Sequence, residues 1–259
     1  MNFKQRLDNK QIHNRILNLM SLFASYCEKN GLRCFISSGT CLGAVRHSGF
    51  IPWDNDADFM MPRDDYERLI KLLREQTEIS FLHYETNKTY FYPFLKIVDP
   101  NTVVIEHGLK PIDGLGIYID VFPVDAFPDK DPSADSNYAK IQKLKKLLYR
   151  KNSKHYNPIK FIICKLTLMF VSSRHLCRKI DSLSQKYNYD DCKYSLDLVW
   201  GTKPFNKIIL SDFIDAKFEN CYFKIPRNYD LYLKSVYGDY LKLPPKEKQI
   251  SHDVVAYFK

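Results

Sequence analysis

The chain has 259 residues, 45% of them hydrophobic and 14% aromatic, a composition that supports a sizeable core and excludes a disordered chain. Its longest apolar run, Phe161 to Val171, contains Lys165 and falls well short of the roughly 20 apolar residues that a membrane-spanning helix needs. The net charge of +9 is concentrated between Lys140 and Ile180, which hold twelve Lys and Arg and no Asp or Glu, and such a block argues for an anionic partner.

From the N-terminus, residues 4–29 place Ile12, Ile16, Leu19, Met20 and Phe23 at helical spacing, and Asn30-Gly31 supplies a helix stop. The short apolar run "LRCFIS" reads as a buried strand and "TCLGAVR" as one or two helical turns. After the turn "HSGF", "DADFMM" reads as a second strand. "RDDYERLIKLLREQ" is an amphipathic helix whose first turn carries Asp64 and Asp65, where acids suit the helix dipole. Four strand-like runs follow: "ISFLHYE", "YPFLKIVD", "TVVIEH" and "GIYIDVFPVD". The Pro-bearing "VDAFPDKDPSAD" reads as a boundary, and residues 138–187 as helical in two pieces around Pro158. Residues 191–259 are mixed. The order of elements predicts an α/β (α+β) fold with a mixed sheet flanked by helices. It divides into a core over 1–130, a basic helical insertion over 131–190, and a C-terminal part over 191–259 that completes the core.

No secretory leader is legible at the N-terminus, and the seven cysteines include no C-x-x-C pair, so reduced thiols in the cytoplasm are expected.

Asp54, Asp56 and Asp58 stand at every second position. Side chains alternate along a strand, so the three share a face if the strand reaches that far, with Ala57, Phe59 and Met61 on the other. Adjacent carboxylates repel, burial sharpens the repulsion, and a hard divalent cation such as Mg²⁺ relieves it. An EF-hand loop is excluded because its Gly and Glu positions hold Phe59 and Asp65. The D-x-D of a glycosyltransferase, holding a sugar nucleotide through Mn²⁺, uses the same residue types. Upstream, "FISSGT" runs into a short helix and sets backbone N–H groups, Gly39 and the hydroxyls of Ser38 and Thr40 at a helix N-terminus, an anion site. Strand, small-residue turn, helix and D-x-D strand together make the arrangement of a nucleotidyltransferase fold. Asp120, between Ile119 and Val121 of a later strand, is placed to be a third carboxylate, whereas Asp125 after Pro123 reads as a strand-end residue.

The stretch "SSGTCLGAVRHSGFIPWDNDADFMMPRDDYERL" resembles the hallmark of the LicD family, which is related to fukutin-related proteins. The resemblance continues in "FYPFLKIVD", "GLGIYIDVFPVDAFP" and "FKIPRNYDLYLKSVYGDYLKLPPKEKQISHD", and spares only about 130–190. It implies a Mg²⁺-dependent enzyme, with Mn²⁺ as the alternative ion. Such an enzyme moves a phospho-alcohol from a CDP-linked donor, first among them CDP-choline, onto a sugar hydroxyl of a glycan or lipid-linked glycan precursor. By position in the motifs, Asp56, Asp58 and Asp120 would hold metal and act in catalysis. Ser38, Gly39, Thr40, Arg46, Lys96 and His252 would bind substrate. Many members read D-D-D-x-D where this chain has Asn55. Transfer of glycerol, ribitol or ethanolamine phosphate, and glycosyl transfer, are the competing activities. Basic residues interleaved with "FIICKLTLMF" suit a helix lying in the headgroups of an anionic membrane, so peripheral attachment at the inner face is expected. No nucleic-acid partner is expected, because no recognition motif accompanies the charge.

Overall fold

A computed structural model describes residues 5–154, 170–199, 201, 203–249 and 254–259. Helix α1 (Asn9–Lys29) starts at a capping box in which Asp8 and Gln11 bond each other's backbone N–H groups. Its stripe Ile12, Ile16, Leu19, Met20, Phe23 and Cys27 is buried. Strand β1 (Phe35–Ile36), helix α2 (Ser38–His47), strand β2 (Asp58–Pro62) and helix α3 (Arg63–Arg74) follow. Strands β3 (Phe81–Leu82), β4 (Leu95–Val98), β5 (Thr102–Glu106) and β6 (Tyr118–Phe127) come next. Helices α4 (Ser136–Asn152) and α5 (Ser173–Ser184) pack on each other. The C-terminal part supplies β7 (Tyr194–Leu196), β8 (Phe205–Asn206), β9 (Phe213–Phe218), β10 (Cys221–Pro226), α6 (Tyr229–Tyr237) and β11 (Val254–Phe258).

The main sheet is mixed, with seven strands among the described residues. Its order is β1-β2-β6-β4-β3, with β7 on β6 and β8 on β7. β2 and β6 run parallel, and the other pairs are antiparallel. β11 pairs with β5 in a separate ribbon. Phe59 of β2 meets Phe23 of α1 edge-on, and Asp125 of β6 meets Arg63 of α3. Phe59 lies opposite Val121, and Val121 and Asp125 share parity on β6. Helices α1 and α3 therefore cover one face, and Asp58 and Asp120 point to the other.

The structure differs from the sequence reading in three places. β2 begins at Asp58, not Asp56, because residues 51–57 are committed elsewhere: Asp54 N–H closes a turn on the Ile51 carbonyl, and His13 Nε2 lies 2.9 Å from both the Asp54 carbonyl and Asn55 Oδ1. Asp54 and Asp56 thus come from a loop rather than a strand face. β6 continues through Pro123 to Phe127, so Asp125 lies within the strand. Asp120 N–H donates to Ala57 on the β2 side, so the N–H that Pro123 lacks would face β4, which has already begun at Leu95 opposite Val121. In "ISFLHYE" only Phe81 and Leu82 pair as strand, and His83 and Tyr84 leave the ladder. Pro158 and most of "FIICKLTLMF" lie outside the described residues. Among the described residues no helix is long and apolar enough to cross a membrane.

Candidate active site

Strand register builds the centre of the site. Asp58 lies opposite Asp120 on β6, and Asp120 opposite Lys96 on β4, so three charged side chains stand in a row across three strands. Lys96 is 2% exposed, and its Nζ donates to Asp120 Oδ1 at 2.6 Å. That ammonium also sits over the rings of Tyr118 at 3.4 Å, Tyr92 at 4.8 Å and Phe94 at 5.4 Å from the centroids. The hydroxyls of Tyr92 and Tyr118 donate to the two oxygens of Glu106, at 2.7 and 3.2 Å.

Among the described residues the row holds two carboxylates against one ammonium. Burial pushes the Asp58 carboxyl well up, and the negative charges of Asp56, Asp120 and Asp54 push it further, with Lys96 opposing. Among the described residues no side-chain donor reaches Asp58; its backbone N–H donates to Thr40 Oγ1 at 2.8 Å and its carbonyl accepts from Ser37 N–H. Burial also raises Asp120, to about 6, although Lys96 pulls it down. Hard carboxylate oxygens gathered in this way are a donor set that suits Mg²⁺ or Mn²⁺. No group of three or more His, Cys, Asp or Glu among the described residues is drawn together as a ready-made cation site.

Helix α2 aims its N-terminus at this row. The first intrahelical bond is from Cys41 N–H to the Ser37 carbonyl, so the N–H groups of Gly39 and Thr40 have no acceptor within the helix. Ser38 takes a left-handed φ of 48° and donates its N–H to the Tyr232 hydroxyl at 3.1 Å. Ser37 is fully buried, and its Oγ has no partner among the described residues. A Cβ added at Gly39 would stand 3.0 Å from Asp54 Oδ2, so the helix start and the aspartate loop touch, and only glycine leaves room for a group between them.

The structure thus brings together Asp56, Asp58, Asp120, Ser38, Gly39, Thr40 and Lys96. Thr40 is engaged with the Asp58 backbone, and Lys96 with Asp120. Arg46 lies in the last turn of α2 and donates from Nη1 to the Tyr240 carbonyl at 2.8 Å, tying the helix to the C-terminal segment. His252 lies outside the described residues. Asn55 is turned toward α1 and bonds His13 and Asn9.

Sequence reasoning missed Ser37, Tyr92, Glu106, Tyr118 and Tyr232. Tyr118 was findable, since it stands two residues before Asp120 and shares its face. Tyr232 gave no local signal. Along the same sheet face, past Asp58 and Asp120, lies a cavity of about 130 Å³. Met60, Phe122, Phe205 and Tyr232 wall it, and Ser38 and Lys203 also line it.

Residues 31–125 match the family described as LicD/FKTN/FKRP, nucleotidyltransferase domain. The chain is similar to the lipopolysaccharide cholinephosphotransferase LicD of Haemophilus influenzae, 29% identical over 253 residues, covering 92% of this chain and 93% of that protein. It is also similar to an uncharacterized protein of Rickettsia prowazekii, 31% identical over 106 residues, covering 32% of this chain and 40% of that one. An uncharacterized protein of Rickettsia typhi is 37% identical over 62 residues, covering 24% and 20%.

Proposed function

We propose, on the premise that this chain belongs to the LicD family, that it transfers phosphocholine from CDP-choline to a sugar hydroxyl of a lipopolysaccharide or related surface-glycan precursor. The chain is a phosphotransferase. The observation that carries the finer reading is the under-neutralised row Asp58–Asp120–Lys96 facing the start of α2. The core is read as a nucleotidyltransferase fold, because that row and the helix start stand as such a fold needs them.

On this reading the donor diphosphate lies against the N–H groups of Gly39 and Thr40, where unsatisfied donors and the helix dipole favour negative charge. The nucleoside enters the cavity between Phe122 and Phe205. Asp56, Asp58 and Asp120 would hold Mg²⁺, which supplies charge neutralisation at the phosphoryl oxygens. The glycan hydroxyl oxygen forms a bond to the β-phosphorus, the bond from that phosphorus to the bridging oxygen breaks, and CMP leaves. The hydroxyl proton passes to surrounding water, since Asp120 Oδ1 accepts from Lys96 and Oδ2 would face the ion. The chain's contribution is positioning and a preorganised field rather than covalent chemistry. Anionic membrane contact through the exposed basic face of α4 would bring the enzyme to a lipid-linked acceptor.

Thermal-shift titration with Mg²⁺ and a panel of CDP-choline, CDP-glycerol, CDP-ribitol and UDP-sugars tests this. The largest stabilisation is expected with CDP-choline. Stabilisation by a UDP-sugar alone would replace this reading with glycosyl transfer.

A further inference from the structure

We infer that Lys96 serves as a built-in cation of this centre, a positioning residue whose ammonium stands where a second divalent ion would be needed, so that the site holds a single ion. The inference rests on the reading above that Asp56, Asp58 and Asp120 form a metal centre. Its grounds are separate from that reading. They are the burial and contacts of Lys96.

A lysine at a substrate-phosphate site keeps its ammonium accessible and mobile, because it must meet a ligand that comes and goes. Lys96 does neither. It is 2% exposed, its Nζ is fixed at 2.6 Å from Asp120, and three rings close round it. The rings are themselves fixed, since Tyr92 and Tyr118 both donate to Glu106. The aromatic faces offer a cation a favourable field without offering it an exchangeable ligand. The ammonium is therefore a permanent part of the sheet face.

Its place in the row is the second point. Asp120 stands between Lys96 and Asp58 on adjacent strands, about 4.8 Å apart in the pairing direction. A two-ion centre places its ions about 3.5–4 Å apart and bridges them with a shared carboxylate. Asp120 is the carboxylate shared by the two flanks of the row, and one of its oxygens is already given to Lys96. A second divalent ion on that flank would face a fixed ammonium at close range. On the other flank Asp58 faces the carboxylates of Asp56 and Asp54, and Lys96 is the cation that opposes them.

Counting bound Mn²⁺ on the full chain without nucleotide, by calorimetry and by electron paramagnetic resonance, tests the inference. One Mn²⁺ per chain is expected, with no spin coupling between ions. Lys96→Met removes the ammonium and keeps most of the side-chain volume. That variant is expected to melt lower than the parent without metal, to gain more in melting temperature from Mn²⁺, and to bind Mn²⁺ at least tenfold more tightly. Two coupled ions in the parent, or Mn²⁺ affinity unchanged in a folded Lys96→Met, would overturn the inference and leave the metal-dependent transferase standing. No Mn²⁺ binding by the parent would overturn both. If Lys96→Met does not fold, the ion count of the parent decides alone.

Discussion

Strand β6 carries two aspartates on opposite faces, the half-buried Asp120 and the buried Asp125, and each is paired with one cation. The pairs are built differently. Arg63 reaches Asp125 with both ends of its fork, Nε to Oδ1 and Nη2 to Oδ2, each at 2.7 Å. Its remaining Nη1 donates to Asp181 and Glu67. Every carboxylate there meets a donor, α5 is tied to the core through Asp181, and the surplus charge lies on the less buried Asp181 and Glu67. Around Asp120 a point charge meets one oxygen, and Asp58 faces mainly like charges. The same residue types on the same strand therefore do two jobs. Satisfied geometry holds the structure together, and on the proposed function the unsatisfied charge is reserved for a ligand.

The largest break in that comparison is expected from Asp58→Asn. Transfer should fall by at least about 10³-fold, equal to about 4 kcal/mol of barrier. The metal-free melting temperature should not fall, because a repulsive charge has gone. Turnover near that of the parent at saturating Mg²⁺ would remove Asp58 from the metal site.

Asp125→Asn should do the reverse. Urea unfolding is expected to show a loss of about 3 kcal/mol, since Arg63 stays buried without its bidentate partner. Turnover per folded molecule should stay close to that of the parent. A large loss of turnover with unchanged stability would mean that the two faces are not independent.

Acid distinguishes the two regions from the structural side. His83 is buried beside β3, its Nδ1 accepts the Glu85 N–H at 3.3 Å, and burial lowers its pKa from 6.5 to about 4, with Arg74 adding to this and Glu85 opposing. The unfolded chain takes up that proton near 6.5 and the folded chain only near 4. The stabilisation is therefore complete above 6.5 and is lost as pH falls toward 4, by about 3 kcal/mol in all. Unfolding measured at pH 7 and pH 5 should show this slope in the parent and a weaker one in His83→Gln.

The smallest effect concerns the basic helix α4. Lys143 and Lys146 are exposed, whereas burial lowers the pKa of Lys145 and Asp197 opposes this, so Lys145 is turned inward. Lys143→Gln with Lys146→Gln should weaken sedimentation with anionic vesicles by about 1 kcal/mol per charge at low salt, and less at high salt. Turnover on a water-soluble acceptor should not change. A fall in that turnover would assign the helix to the active site.

Much of this was legible in the sequence because it is local. The helical stripe of α1, the acidic start of α3, the small-residue turn before α2 and the period-two placing of Asp120 follow from repeat lengths and cap chemistry over a few residues. Those patterns were enough to point to a row of carboxylates beside the start of a short helix. Only the tertiary structure decided that β2 begins at Asp58, that Asp125 belongs to Arg63, that Lys96 belongs to Asp120, and that Tyr232 reaches Ser38 from the far end of the chain. Each of these depends on which strands lie side by side and in what register. Alternation fixes the face a side chain takes on its own strand, but the neighbour across the ladder is set by burial summed over the whole sheet.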